Sequence, residues 1–322
     1  MSTPLVSIII LNWNGLKCIR ECLESVVATN YTTTEIIVVD NGSTDGSHNI
    51  AKKFSNVRLV ALEKNIGFAA GNNAGFKIAK GKYIATLNND VIVEPDWLQQ
   101  PTELFEHYPS IGIVACRQMN YYHRDHIDCL YTYPLHSLLF EPMGVGKIFT
   151  NDNLFSRPGQ VIGAGGASAI YRKEVVNAFG GFDERYYAYH EESDLCMRAF
   201  LDGWKCAYAP SAVVFHRGSF SFGRIKRQFA FYHERNRVWF IYKFYPFAYI
   251  LKNVFWICIM ELRLLRVWIF KRKLGGAYFS ARYHGFLGLV RLREERKIYT
   301  AKFKEKQAIF NQFLRQKKLP LS

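Results

Sequence analysis

The chain has 322 residues, of which 49% are hydrophobic and 16% aromatic, which is ample for one large domain or two ordinary ones. The formal net charge of +15 is unevenly placed, because residues 217–322 hold 24 lysines and arginines against five acidic residues, whereas the rest holds 18 against 22. The seven cysteines include no CxxC pair, so they argue against a disulfide framework or a zinc site and indicate reduced, intracellular thiols.

Strands and helices are predicted to alternate along the first part of the chain. Each predicted strand is a short, nearly continuous run of apolar and β-branched residues, which is typical of a parallel sheet buried on both faces. The predicted strands are 6–11, 35–39, 57–60 and 83–87. The predicted helices are 16–28, 46–54 and one that follows the segment 65–75, which is rich in glycine and asparagine. The alternation predicts an α/β fold with a doubly wound, mostly parallel sheet.

The pattern is less regular after Pro95. Residues 117–158 are aromatic and show no clear period, and a segment of this length usually forms a binding loop or a cover over a site. The other predicted elements of this part are helices at 96–107, 172–179 and 191–201 and strands at 112–116, 207–210 and 213–215.

Carboxylates follow predicted strands at two places, and a third acidic group opens a later helix. Asp40 ends the second strand, Asp90 ends the fourth, and Glu191-Glu192-Ser193-Asp194 begins the helix at 191. An open α/β sheet binds ligands at the carboxyl ends of its strands. Carboxylates there can accept the imide N–H of a pyrimidine, hold a divalent cation and take a proton from an attacking hydroxyl. Singly, each group has a simpler interpretation as a turn former, a helix-dipole partner or a solvated charge.

Seven stretches of the chain, in order, resemble those of glycosyltransferase family 2, in its rhamnosyltransferase-like bacterial branch. They cover about residues 5–223 and read VSIIILNWNG, VVDNGSTDGS, NIGFAAGNNAG, LNNDVIVEPDWL, GAGGASAIYRKE, GGFDERYYAYHEESDLCMR and APSAVVFHRGSFSFG. The resemblance implies the GT-A fold of nucleotide-diphospho-sugar transferases. It divides residues 1–223 into a nucleotide-sugar half, about 1–116, and an acceptor half, about 117–223.

The resemblance also implies a nucleotide site. Asp40 would face the base, and Asn12 and Trp13 would line the nucleoside. Residues at the edge of the nucleotide pocket would be Asn65, Gly67 and Asn72. The metal-binding DxD signature of the family stands here as Asn88-Asn89-Asp90, so that Asp90 alone keeps a carboxylate for Mg²⁺ or Mn²⁺.

The acidic motif of the family, Glu-Asp-x-Asp, stands here as Glu191-Glu192-Ser193-Asp194. The catalytic base aligns with Glu192, with Glu191 as the alternative and Asp194 behind them. His216 resembles a position that reaches the metal or the diphosphate, although a single histidine is otherwise an ordinary core or surface residue.

The Gly-rich stretch 163–168 invites comparison with a dinucleotide-binding loop. It falls one residue short of GxGxxG and lacks an acidic residue about 20 positions on, so a Rossmann site is not expected. In glycosyltransferase family 2, which the chain resembles, such a loop faces the sugar and the acceptor.

Residues 224–322 mix aromatic residues with lysine and arginine at helical spacing. No stretch reaches the roughly 20 apolar residues that span a bilayer, so we expect basic amphipathic helices lying on a membrane surface. The alternative is a packed helical subdomain with a solvated basic face. Nucleic acid is not expected as a partner, because no recognition motif accompanies the charge. No basic segment precedes the first apolar run, so no signal peptide is expected.

The sequence therefore predicts an inverting glycosyltransferase on the cytoplasmic face of the membrane. The donor would be a dTDP- or UDP-sugar, with L-rhamnose as one candidate sugar. The acceptor would be a hydroxyl of a cell-surface glycan or a polyprenyl-diphosphate-linked oligosaccharide. The rival hypotheses are a catalytically silent, sugar-nucleotide-binding subunit of a polysaccharide assembly and a protein that binds nucleic acid through its basic tail.

Overall fold

The structure is a computed structural model that describes residues 3–218 and 226–321, and gives only the backbone of residues 153, 154 and 226. The strands within these ranges are β1 (Val6–Asn12), β2 (Thr34–Asp40), β3 (Val57–Ala61), β4 (Tyr83–Asn88), β5 (Val91–Val93), β6 (Ile111–Asn120), β7 (Ile127–Cys129), β8 (Thr132–Pro134), β9 (Phe140–Pro142), β10 (Gly159–Val161), β11 (Ser168–Arg172) and β12 (Lys205–His216).

The α-helices within the same ranges are α1 (Ile19–Val27), α2 (Ser47–Ala51), α3 (Phe68–Ile78), α4 (Gln99–His107), α5 (Asn153–Ser156), α6 (Lys173–Phe179), α7 (Glu191–Leu201), α8 (Lys226–Phe244), α9 (Phe247–Lys252), α10 (Val254–Arg266), α11 (Gly275–Gly288) and α12 (Arg293–Gln316). Short 3₁₀ turns occur at Glu184–Tyr186 and Leu289–Leu292, and a π-helical turn, Val267–Lys271, follows α10.

One mixed sheet organises the first two thirds of the chain. Its main path runs β10-β12-β6-β11-β4-β1-β2-β3. The four strands β4, β1, β2 and β3 are parallel, and β11 is antiparallel to both β4 and β6. The chain leaves β1 toward β2 and β3 and later returns to β1's other side as β4, so the direction of winding reverses between β1 and β4. Such a switch point opens a ligand crevice beyond the strands' carboxyl ends.

The core lies on both faces of this sheet, which explains the continuous apolar runs. All seven residues of β1 are buried. Ile9 and Leu11 pack into the cluster on one face, whereas Val6, Ile8 and Ile10 pack into the cluster on the other. The predicted α/β class and the parallel arrangement of the first four strands are therefore confirmed.

Several predicted elements differ from the structure in their bounds: α2 ends at Ala51, α4 begins at Gln99 and β6 continues to Asn120. The strands predicted at 207–210 and 213–215 are one strand, β12, whose pairing with β6 shifts register between Ala209 and Val213. The irregularity accommodates Pro210, which cannot donate to a regular ladder. Helix α1 begins at Ile19 rather than residue 16, because the N–H groups of Cys18 and Ile19 both donate to the carbonyl of Gly15 in a preceding turn.

The segment 117–158, which shows no period in the sequence, is more ordered than predicted. Strand β6 continues to Asn120 and pairs with β7, while β8 and β9 form a small separate sheet. Short strands of three residues are too brief to give an alternating apolar pattern, which is why the sequence does not reveal them.

The C-terminal helices pack directly against α7 of the first part of the chain. A single apolar cluster joins Met197 and Phe200 of α7 to Phe240 of α8 and to Phe303 and Phe310 of α12. Gln160 of β10 forms a backbone bridge with Leu319, close to the end of the described chain. The predicted boundary at residue 223 falls outside the described residues, so the division into domains stays a prediction. Within the described ranges, no helix combines the length and the apolarity needed to cross a membrane.

Candidate active site

A cleft of about 780 Å³ opens at the switch point of the sheet. Trp13 follows β1 at its wall, and Asn88, Asn89 and Asp90 come from the end of β4. The opposite walls come from the Gly-rich stretch at 165–167, from the segment 117–158 and from the start of α7. The volume is that of a typical small-molecule site.

Asp90 and His216 meet in this cleft, as the sequence analysis anticipates. The Nε2 atom of His216 lies 3.4 Å from Oδ1 of Asp90, and its Nδ1 lies 2.9 Å from Oδ2 of Asp128. Burial opposes a charge on this imidazole, but the hydrogen bonds to Asp128 and Asp90 outweigh it and raise the pKa of His216 to about 10. Asp128 thus fixes the ring so that Nε2 faces Asp90.

Glu191 and Glu192 line the same cleft from the first turn of α7. Glu191 is 3% exposed, and its pKa is raised well above the usual value by burial and by the charge of Glu192. Glu192 is half-buried, and burial raises its pKa as well, whereas its interaction with Glu191 lowers it. Glu192 is therefore the carboxylate of the pair that ionises more readily, and Glu191 is the one that holds a proton more strongly.

The Gly-rich stretch approaches this acid pair closely. A Cβ atom on Gly166 would lie 3.4 Å from the carboxyl carbon of Glu192, so a larger side chain there would fill the space in front of the carboxylate. This placement agrees with the expectation that the stretch faces the reacting groups rather than a dinucleotide.

Three of the predicted nucleotide residues form a buried network. The amide of Asn12, which is fully buried, donates to Oδ1 of Asp40 at 2.7 Å, and its oxygen accepts from Nδ2 of Asn89 at 2.8 Å. The second oxygen of Asp40 accepts from the N–H of Ser43. Neither Asn12 nor Asp40 lines the cleft. The network joins the ends of β1, β2 and β4, and the proposed contact of Asp40 with a base stays a prediction.

Of the three residues predicted at the edge of the nucleotide pocket, one lines the cleft and two do not. Asn65 lines the cleft, whereas Gly67 and Asn72 do not. Gly67 has φ of +95°, and a Cβ atom there would lie 2.6 Å from the ring of Tyr187, so both conformation and space require glycine. Asn72 is fully buried and donates to the carbonyl of Phe68 one turn earlier in α3.

Asp194 lies behind the acid pair, fully buried and away from the cleft. One of its oxygens accepts from Nε of Arg198 at 2.6 Å, and the other lies 2.7 Å from Nζ of Lys243 on α8. Lys243 also pairs with Asp183 at 3.0 Å and with Glu295 at 3.1 Å. Asp194 therefore ties α7 to the C-terminal helices.

The loop before the acid pair is strained and is held by α8. Tyr187, Tyr189 and His190 all have positive φ, between 66° and 71°, which is unfavourable for residues other than glycine. The buried amide of Asn236 donates to the carbonyls of Tyr186, Ala188 and Tyr189 at 2.9, 2.8 and 2.7 Å. These hydrogen bonds fix the backbone that presents Glu191.

Several residues of the cleft are absent from the sequence analysis. Asp128 comes from the segment without a period, and Phe229, His233 and Arg272 come from the C-terminal helices. No local pattern distinguishes them.

Comparison with known proteins decides the family. Residues 7–180, more than half of the chain, match the family model described as glycosyl transferase family 2. The chain belongs to this family. The family membership implied by the sequence motifs is thereby confirmed.

Relatives with curated descriptions span bacteria of several kinds. The chain is 31% identical over 130 residues to the glycosyltransferase GlyG of Streptococcus pneumoniae, covering 39% of this chain and 42% of that protein. It is 27% identical over 228 residues to the O-antigen biosynthesis protein RfbC of Myxococcus xanthus, covering 68% of this chain and 18% of that protein. An uncharacterized protein, y4gI, of Sinorhizobium fredii is 29% identical over 235 residues, which are 69% of this chain and 25% of that protein. The chain thus spans less than half of the length of these relatives.

Solved structures confirm the GT-A fold. The mannosyltransferase PcManGT of Pyrobaculum calidifontis, in complex with GDP-Man and Mn²⁺, superposes with a TM-score of 0.55 at 15% identity, covering 98% of this chain and 88% of that one. Residues 1–349 of TarS of S. aureus, in complex with UDP, give a TM-score of 0.55 at 16% identity, covering 94% and 91% of the two chains.

Proposed function

We propose that this family 2 chain is an inverting glycosyltransferase that moves a sugar from a nucleoside diphosphate sugar to a hydroxyl of a glycan or a lipid-linked oligosaccharide. The observation that carries the proposal is that the carboxyl group of Glu192 and the Asp90–His216 pair face one cleft at the switch point of the sheet. L-rhamnose stays a candidate sugar. A dTDP- or UDP-linked donor is favoured by the resemblance described above.

Glu192 would act as the general base. The acceptor hydroxyl gives its proton to Glu192 as its oxygen attacks the anomeric carbon, and the bond to the nucleoside diphosphate breaks on the opposite side. Direct displacement of this kind inverts the anomeric configuration. Glu191 would be protonated, so that the two carboxyl groups together carry a single negative charge.

A divalent cation would be held by Asp90 and His216. Their facing atoms lie 3.4 Å apart. Asp128 and Asp90 favour the protonated imidazole of His216, so a cation would have to displace the proton from Nε2. One carboxylate oxygen and one imidazole nitrogen, completed by diphosphate oxygens and water, would then suit Mn²⁺ or Mg²⁺. The described residues contain no cluster of three or more such side chains, so the donor itself would have to supply ligands. The bound cation would neutralise charge that grows on the leaving diphosphate.

A thermal-shift panel of UDP-, dTDP- and GDP-sugars tests the proposal. We expect stabilisation by one nucleotide class, increased by Mn²⁺, because a ligand that binds only the folded state raises its stability. Transfer or slow hydrolysis of that donor would distinguish an enzyme from a catalytically silent binding subunit. No shift with any donor, with or without Mn²⁺, would contradict the proposal.

Asp128→Asn is expected to weaken Mn²⁺ binding in the presence of the nucleotide by about 10- to 100-fold, because loss of a carboxylate that orients a histidine ligand usually has this effect. Isothermal titration with Mn²⁺ measures it. Asp125→Asn is the matched control, since Asp125 is an exposed carboxylate on the same segment that pairs with His126. Equal affinities in wild type and Asp128→Asn would remove His216 from the metal site.

We also propose that the C-terminal helices hold the protein on an anionic membrane surface. Helix α10 buries none of its residues. Exposed apolar side chains of residues 247–270, called here the α10 surface, are Phe247, Leu251, Val254, Phe255, Trp256, Ile259, Leu262 and Phe270. An apolar patch of this kind on a single protein usually marks an interaction site.

The charges around the α10 surface favour an anionic lipid surface as its partner. Exposed cations beside it are Lys252, Arg263, Arg266 and Lys271. The single acidic residue of 247–273, Glu261, is paired with Arg237 and Arg282. Apolar side chains ringed by unopposed cations match the acyl and headgroup layers of an anionic bilayer.

Vesicle sedimentation tests this surface. Phe255→Ser with Trp256→Ser should abolish most binding to phosphatidylglycerol vesicles, because each large apolar side chain contributes about 1.5–3 kcal/mol when buried. Tyr122→Ser with Ile148→Ser, which changes exposed apolar residues elsewhere, should bind as wild type does. The α10 surface would not be a membrane-binding surface if the Phe255→Ser, Trp256→Ser variant sedimented with vesicles as the wild type does. The same conclusion would follow if the wild type did not bind vesicles.

A further inference from the structure

One wall of the cleft is built by the C-terminal helices rather than by the family's matched region. Phe229 and His233 of α8 and Arg272, which follows the π-helical turn, line the cleft opposite the sheet. This wall therefore carries one aromatic ring and two side chains able to bear positive charge.

Arg272, an exposed residue at the rim of the cleft, differs from the buried Arg237 and the half-buried Arg282 near it. Arg237 and Arg282 each form ion pairs with Glu234 and Glu261. The guanidinium of Arg272 instead lies over the rings of Trp268, at 5.0 Å, and Phe229, at 5.8 Å. Among the described residues no carboxylate pairs with it. Two aromatic rings hold its plane while its N–H groups stay available, the usual arrangement of an arginine that binds phosphate.

His233 stands beside Arg272 on the same wall and is linked to the reacting groups. Its Nδ1 lies 3.2 Å from Oε1 of Glu234, a fully buried carboxylate, so the orientation of its ring is fixed. Its ring centre lies 5.0 Å from that of His190, the residue immediately before the acid pair. The wall with Arg272 and His233 therefore borders the place where an acceptor hydroxyl would meet Glu192.

The same arginine also adjoins the α10 surface. Residues 271–273 read Lys-Arg-Lys, and they follow Phe270, the last member of that surface. Trp256 of the α10 surface contacts His136 of the segment 117–158, with ring centres 5.9 Å apart. An apolar chain lying along the α10 surface would reach the cleft at Arg272.

We propose that Arg272, assisted by His233, binds the phosphate or diphosphate of an amphiphilic acceptor whose apolar chain lies on the α10 surface. The sugar attached to that phosphate would extend into the cleft and offer its hydroxyl to Glu192. This inference rests on the proposed glycosyl transfer for the reaction, whereas the binding site itself is independent of it. The donor diphosphate would occupy the separate site at Asp90 and His216.

Titration of the full chain in detergent with farnesyl diphosphate, farnesol and inorganic diphosphate tests the site. Farnesyl diphosphate should bind more tightly than either fragment. Arg272→Gln should weaken its binding by about 10- to 100-fold, the loss expected for a charge-assisted hydrogen-bonded pair. His233→Gln should weaken it less. Arg293→Gln removes the same charge from an exposed arginine of α12 that does not line the cleft, and should leave binding unchanged.

Other results would overturn the assignment. Equal losses in Arg272→Gln and Arg293→Gln would mean attraction to surface charge in general. Inorganic diphosphate binding as tightly as farnesyl diphosphate would mean a site for free phosphate. A parallel titration with UDP and dTDP separates the two proposals: loss of nucleotide affinity in Arg272→Gln would place Arg272 at the donor. Failure of the wild type to bind either nucleotide would count against the proposed function alone.

Discussion

Glu192→Gln is expected to lower turnover by about 10²- to 10⁴-fold, the usual contribution of a general base. Affinity for the nucleotide should not change, because the proposed diphosphate site consists of Asp90 and His216 and does not include Glu192. Steady-state kinetics with a fixed donor, together with nucleotide titration, measure both quantities. The substitution keeps the volume of the side chain and removes only its ability to take a proton.

The pH dependence gives the same prediction a second readout. Burial raises the pKa of Glu192, so its carboxylate is protonated at low pH and becomes competent only as the pH rises through this raised value. The wild-type rate should therefore fall at acid pH, and the rate that remains in Glu192→Gln should lose this dependence.

Glu191→Gln is the matched control for the base. Because burial and the charge of Glu192 raise the pKa of Glu191 well above its usual value, a neutral amide resembles its protonated form and should cost much less activity. A large loss in Glu191→Gln combined with near-normal turnover in Glu192→Gln would transfer the role of base to Glu191. Comparable losses in both would mean that the pair acts as a unit.

Lys243→Met is expected to destabilise the whole protein by about 3–5 kcal/mol, the usual cost of leaving buried charges unpaired. Its ammonium is fully buried and pairs with Asp183, Asp194 and Glu295. Urea unfolding measures the loss. Lys302→Met is the control, because Lys302 pairs with Asp202 at the surface, where an ion pair contributes at most about 1 kcal/mol.

The Lys243 cluster also predicts sensitivity to acid. Burial alone would raise the pKa of Asp183, but Arg185 and Lys243 outweigh it and hold that pKa below the usual value. The stability that Asp183 contributes is therefore complete above its unfolded pKa of about 3.9 and is lost as the pH falls toward the lowered value. If Lys243→Met had the same free energy of unfolding as the wild type at neutral pH, the cluster would contribute nothing to stability.

The Lys243 cluster makes truncation of the C-terminal helices unsuitable as a test of membrane binding. Truncation near residue 240 would remove Lys243 and leave Asp194, directly behind the acid pair, buried beside Arg198 alone among its charged partners. A truncated chain would therefore lose its fold together with its α10 surface. Point substitutions on the α10 surface avoid this confusion.

The parts of the fold that depend on local pattern could be predicted from the sequence. The four parallel strands appear as apolar runs because both of their faces are buried, and helix α7 has the predicted bounds 191–201 because its acidic first turn and Gly203 delimit it. The position of Asp90 at the ligand-binding edge of the sheet follows from its place after β4.

Contacts between distant segments could not be predicted in this way. Asp128 and His216 are 88 residues apart, and Lys243 and Asp194 are 49 apart. Asn236 holds a loop about 50 residues earlier, which no helical pattern in α8 reveals. The hydrogen bond between Asn12 and Asp40 could not be predicted either, although polar groups that end neighbouring buried strands are expected to pair when they are removed from water.

A crystal grown with Mn²⁺ and the nucleotide selected by the thermal-shift panel tests the donor site most directly. The anomalous difference map should contain one manganese peak between Asp90 and His216, with diphosphate oxygens beside it and the cleft in front of Glu192 open. A nucleotide bound outside this cleft, or manganese bound by Glu191 and Glu192 instead, would contradict the proposed roles of all four residues.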